Sequence, residues 1–166
     1  MSEPTQIPVV SPPPLRAVLE PRVLHGALLG SRASASVVDA WREGRVFLCV
    51  TEQIMREYFR LLGRIKANAP CDDVLGRLRS GEAVRAFVVS EKPFLTPGKK
   101  PSSTFEACLL ACGAIADAPV LSYDRAFARR SRAVTVFSPA TFVRRFLTSP
   151  PAAMVSYVPS IMPQTP

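Results

Sequence analysis

At 166 residues, with 48% hydrophobic and 20% charged side chains, the chain is long enough to form one domain around a buried core. It has no apolar run of about 18 residues, which excludes a membrane-spanning helix, and its opening MSEPTQIPVVSPPP lacks the basic start and apolar stretch of a signal peptide. Twenty-one Lys and Arg against 13 Asp and Glu leave a net charge of +8, which favours an anionic partner such as nucleic acid or an acidic protein.

Ten of the 17 prolines fall in residues 1–14 and 148–166, so both ends read as disordered Pro-rich extensions of a domain spanning 15–147. Residues 15–20 (LRAVLE) read as a short buried strand. Pro21 suits the first position of a helix that stops at Gly30. SASVVDAWREG has Val37, Val38 and Trp41 at helical spacing and ends at Gly44. RVFLCV (45–50) is a second strand, and Thr51 is a natural N-cap for the amphipathic EQIMREYFRLLGRI. Residues 71–91 read as helical, interrupted by Gly76 and Gly81, and Pro93, Pro97, Gly98 and Pro101 mark a loop. Then follow the helix SSTFEACLLACGAIA, the strand PVLSY, a short helical DRAFARR, the strand AVTVF and a last helix PATFVRRFL.

Strands alternating with helices predict an α/β domain, with a mainly parallel central sheet flanked by helices on both faces. Ligands in such domains gather at the carboxyl ends of the strands. Glu20 and Asp124 each follow a predicted strand directly and are candidates for one rim.

Other chemistries find little support. Cys49, Cys71, Cys108 and Cys112 form no C-x-x-C pair and no zinc-finger spacing. Cys108 and Cys112, at i and i+4, read as a buried helix face, and reduced thiols in the cytoplasm are expected. Neither GxxxxGK[ST] nor GxGxxG occurs, and His25 is the only histidine, within an apolar helix pattern.

The order of pieces resembles the PIN-domain family, particularly the toxin components of bacterial toxin–antitoxin systems, over roughly residues 15–147. VLEPRVLHGALLGSR resembles that family's opening strand, VDAWREGRVFLCVTEQIMREYFRLL its second helix, second strand and third helix, and FEACLLACGAIADAPVLSYDRAFA its late helix–strand–Asp segment. VFSPATFVRRFL resembles the closing strand and helix. The resemblance implies a Mg²⁺- or Mn²⁺-dependent ribonuclease in which three or four carboxylates gather in one pocket. Hard divalent ions take oxygen ligands, activate a water and neutralise the charge developing on the scissile phosphate. It also implies an antitoxin-like protein partner and a homodimer.

Carried across residue by residue, the pattern holds in part. Its first Asp falls on Glu20, one methylene longer, and the Asn two residues later falls on Arg22. The helix acid falls on Glu57 in EQIMREY, and the fourth acid on Asp124 in SYD. At the third acid the chain has Ser103 with its neighbours Ser102 and Thr104. Glu106 is the nearest replacement, but Ser103-Thr104-Phe105-Glu106 is S-x-x-E, a capping box that would fold Glu106 back on the helix start.

Carboxylates about 4 Å apart repel by about 4 kcal/mol at an effective dielectric of 20, a strain that a divalent ion relieves in a working site. Here the guanidinium of Arg22 is expected to do so instead, forking onto Glu57 or Asp124. A lost ligand, a lengthened one and an added cation predict weak or absent nuclease activity, with RNA or a partner protein bound through a basic surface. Arg125, Arg129, Arg130 and Arg132 form the densest basic stretch and are the expected RNA contacts. An active metal-dependent endoribonuclease built on Glu20, Glu57 and Asp124 is the alternative.

Overall fold

The computed structural model describes residues 13–66, 68–88 and 103–148. Most of both Pro-rich extensions, and the loop read around Pro93–Pro101, lie outside the described residues. The first strand, β1 (Leu15–Leu19), carries Ala17, Val18 and Leu19 in succession, all fully buried. Alternate strand residues point to opposite faces, so such a run requires cover on both sides of the sheet.

That cover comes from the intervening helices. In chain order the elements are α1 (Pro21–Leu28), α2 (Arg32–Arg42), β2 (Val46–Val50), α3 (Glu52–Leu62), α4 (Ala69–Ser80) and β3 (Val84–Ala86). Then come α5 (Thr104–Ala116), β4 (Val120–Leu121), α6 (Arg125–Arg130), β5 (Val136–Phe137) and α7 (Pro139–Phe142). The five strands form one sheet in the order β3-β2-β1-β4-β5, every pair parallel. Parallel neighbours need crossover connections, and the helices supply them. Helix α5 packs on β1, β2 and β4, while α2 packs on β2 and α7. The chain is therefore α/β, as its alternating pattern predicts, and no helix among the described residues is long and apolar enough to cross a membrane.

Local signals set most element starts. Pro21 opens α1, and the Thr51 hydroxyl accepts from the Ile54 amide at 3.2 Å to open α3. Two expectations are corrected. The segment read as helical over 71–91 is helical only as far as Ser80, because Gly81 adopts a left-handed φ of 70° and closes α4. The chain then enters β3, whose Val84 pairs with Leu48 of β2. The last helix, expected over 139–147, is α-helical only to Phe142 and continues as a π-helical turn, Val143–Leu147. Cys112 is buried and Cys108 half-buried on α5, in keeping with the apolar helix face expected of them.

A candidate acidic site at the reversal of strand order

Chain order runs outward from β1 to β2 and β3, then returns to β4 on the other side of β1. At such a reversal the connections leave the carboxyl ends of two neighbouring strands in opposite directions and open a crevice between them. Glu20 follows β1 and Ser122 to Asp124 follow β4, so both segments meet there. Their backbones are joined, the Glu20 amide donating to the Leu121 carbonyl at 2.9 Å.

The crevice is an open cavity of about 420 Å³, with Glu20, Glu106, Asp124, Ser103, Ser122 and Arg22 in its lining. Three carboxylates thus face one space, contributed by the end of β1, the first turn of α5 and the start of α6. Glu20 stands at the N-cap of α1, but its side chain makes no capping bond. Its carboxylate instead accepts from the Ser122 hydroxyl at 2.5 Å, and that hydroxyl accepts from the Asp124 amide at 3.0 Å. Asp124 is the N-cap of α6, accepting from the amides of Ala126 at 2.7 Å and Phe127 at 3.1 Å. These two amides hold its carboxyl below the usual carboxylate range, assisted by the nearby Arg130 and Arg129.

Arg130 reaches into the acids. Its guanidinium lies 2.9 Å from Glu106 and 3.7 Å from Asp124, with the Glu106 side chain only 16% exposed. The S-x-x-E signature is met in its first half, the Ser103 hydroxyl accepting from the Glu106 amide at 3.1 Å.

Three sequence expectations change. Arg22 forks onto neither Glu57 nor Asp124: its side chain is 79% exposed and approaches only Glu20, at 4.0 Å. Asp124 is already occupied by backbone amides and Arg130, and Glu57 by Arg60, which donates to it at 2.8 and 2.7 Å. Glu57 is not among the residues lining the cavity, so Glu106 and not Glu57 joins Glu20 and Asp124 there. Arg130, grouped with Arg125, Arg129 and Arg132 as a surface cation, turns inward, while those three are exposed.

Sequence reasoning missed the groups that hold the rim in place. Tyr58 is fully buried on α3, and its hydroxyl donates to the carbonyl of Leu19 at 2.7 Å, fixing the backbone just before Glu20. Burial pushes that phenol well above its usual range, so it stays a donor. Tyr58→Phe leaves the carbonyl without this donor and is expected to cost about 1–3 kcal/mol in urea unfolding. Tyr123 lies across Gly26 of α1, where a Cβ would come within 2.7 Å of its hydroxyl. That hydroxyl bonds Ser31 at 2.9 Å and also Ser34, tying the loop that carries Ser122 and Asp124 to α2. An isolated glycine inside a helical pattern was the available signal of this close approach.

Among the described residues, no three His, Cys, Asp or Glu side chains are grouped so as to hold a metal ion. No protein-family model matches the chain, and no curated protein matches it.

Proposed function

We propose that the chain is a PIN-like module that retains RNA and has weak or no nuclease activity, with Arg130 in the role a divalent cation would otherwise play. The observation that carries this reading is the Arg130 guanidinium between Glu106 and Asp124, at 2.9 and 3.7 Å. An all-oxygen donor set suits Mg²⁺ or Mn²⁺ by type. Here, however, Glu20 accepts from Ser122, Glu106 from Arg130, and one oxygen of Asp124 from two amides. The acids as placed do not suit a divalent ion, because the Arg130 guanidinium beside Glu106 and Asp124 opposes one by like charge.

The net charge of +8 and the exposed Arg125, Arg129 and Arg132 beside α6 support RNA as the partner, since arginines pair with phosphates. A cytoplasmic location, an antitoxin-like protein partner and a homodimer belong to the same reading.

The second reading, a Mg²⁺- or Mn²⁺-dependent endoribonuclease, is favoured by the convergence of three carboxylates on one open cavity. Incubation of single-stranded RNA with the protein and either ion separates the two. The expected result is intact RNA and retention unaffected by EDTA. Replacing Arg125, Arg129 and Arg132 together by Ala should then lower the slope of log affinity against log salt by about 2. Ion-dependent cleavage that is lost in both Glu20→Gln and Asp124→Asn would overturn the first reading and establish the second.

A further inference from the structure

Parallel sheets are normally covered on both faces, and among the described residues the cover of one face stops short at one corner. In the parallel register Arg16 lies opposite Phe47 and Cys49 opposite Arg85, so Arg16, Phe47 and Arg85 share one face. Further along that face Val18 and Cys49 are fully buried. Towards the amino ends of β1 and β2 and at the β3 edge the cover stops: Arg16 and Arg85 are exposed and Phe47 is half-buried. Arg16 donates to the carbonyl of Ala116, the last residue of α5, at 3.3 Å, which marks where the helix leaves the sheet.

The opening is a cavity of about 480 Å³ whose far wall includes Phe142 and Phe146. It lies at the opposite end of the strands from the acidic crevice. An aromatic ring and a guanidinium plane stack here: the Arg85 guanidinium sits 5.2 Å above the centre of the Phe47 ring. Phe146, in edge contact with Phe137 at 5.8 Å, is 41% exposed.

The two arginines here are also not paired locally. Arg42, Arg45, Arg56, Arg60, Arg77 and Arg130 each face a carboxylate, whereas Arg16 and Arg85 make no ion pair among the described residues. Asp117 is the one acid in the cavity's lining.

We propose that this open amino end of the sheet is a binding shelf for unpaired nucleotides of single-stranded RNA. Arg16 and Arg85 would take phosphates, and bases would stack on Phe146 and on the Arg85–Phe47 pair. Flat aromatic faces beside guanidinium groups match the two parts of a nucleotide, a π-face and a fixed negative charge. The Asp117 carboxylate suits a base amino group or a ribose hydroxyl. The inference rests on the RNA-binding reading and adds to it a second contact surface, remote from Arg125, Arg129 and Arg132.

Fluorescence anisotropy of the full chain with a labelled 12-nucleotide oligouridylate, against salt, tests it. Arg16→Ala with Arg85→Ala should weaken binding about tenfold or more and lower the log–log salt slope by about 1.4, the value for two single-strand phosphates. Phe146→Ala should weaken binding about fivefold or more with the slope unchanged, because stacking releases no counterions. A duplex of the same length should compete poorly, its bases being already stacked.

Unchanged affinity in both shelf variants, with loss only when Arg125, Arg129 and Arg132 are replaced, would overturn the shelf and leave the RNA reading standing. Equal competition by the duplex would overturn the shelf as well. No binding of any oligonucleotide by the wild-type chain would overturn both readings. Far-ultraviolet circular dichroism of each variant confirms that the fold persists, as the exposure of these side chains leads one to expect.

Discussion

Leu19→Ala is expected to lower the free energy of unfolding by about 2–5 kcal/mol, the range for truncating a large aliphatic side chain in a closed core. Leu19 is fully buried at the end of β1, the central strand, between β2 and β4. Neighbours on both sides limit how far the cavity left behind can collapse, which places the cost towards the upper part of that range. Urea unfolding checks it, with a lower midpoint and an unchanged m-value as the expected outcome. Leu19→Met, nearly volume-conserving, should cost less than about 1.5 kcal/mol. The same strand end carries Glu20, so loss of packing at Leu19 also loosens the rim of the acidic crevice. If Leu19→Ala and Leu19→Met are equally mild, the packing of β1 described above is wrong.

Gly113→Ala should be the second large effect, although alanine is the better helix former. A Cβ at Gly113 would lie 2.8 Å from a methyl of Val134, 2.9 Å from the carbonyl oxygen of Ala118 and 3.2 Å from Val120. A side-chain methyl can move aside, but the Ala118 backbone is held by its own amide, which donates to the Gly113 carbonyl at 2.9 Å. Overpacking of this kind costs about 1–3 kcal/mol, and a backbone clash belongs at the high end. The gain in helix propensity returns about 1 kcal/mol, leaving a net loss of about 2 kcal/mol. Thermal unfolding should fall by roughly 3–5 °C per kcal/mol for a domain of this size. Adding Val134→Ala should relieve only part of the loss, because the carbonyl contact remains. An unchanged or raised melting temperature would show that α5 stands further from β4 than the structure has it. Helix α5 also carries Ser103 at its cap and Glu106 in its first turn, so its distance from β4 helps decide where the third carboxylate lies.

The local chemistry of the site was legible residue by residue. Pro21 after Glu20, Ser103 three residues before Glu106, and Asp124 before RAFARR each announce a helix start, and each starts one. Asp124 was readable both as an N-cap and as a member of an acidic site, and the fold makes it both at once. Strand β3 was not readable. Three residues, Val84–Ala86, follow a helix after one short turn and are partly exposed, so neither length nor apolar alternation marks them. Only pairing with β2 makes them a strand.

What the sequence determined by itself was the order of elements apart from β3, the parallel α/β class, the caps and the two strand-end acids. These depend on contacts within a few residues or on apolar periodicity, and both are written along the chain. The tertiary structure decided which charges meet. Glu57 and Arg60 are three residues apart on α3 and satisfy one another, so Glu57 is spoken for locally. Glu106 and Arg130 are 24 residues apart and meet only because α5 and α6 dock at the same end of the sheet. An arginine side chain can serve a carboxylate wherever the fold brings one within its reach. The cation bonded to these acids is therefore Arg130, while Arg22, one helical position after Pro21, lines the cavity largely exposed and only 4.0 Å from Glu20. A guanidinium's reach is fixed by its own length, but what lies within that reach is fixed by packing.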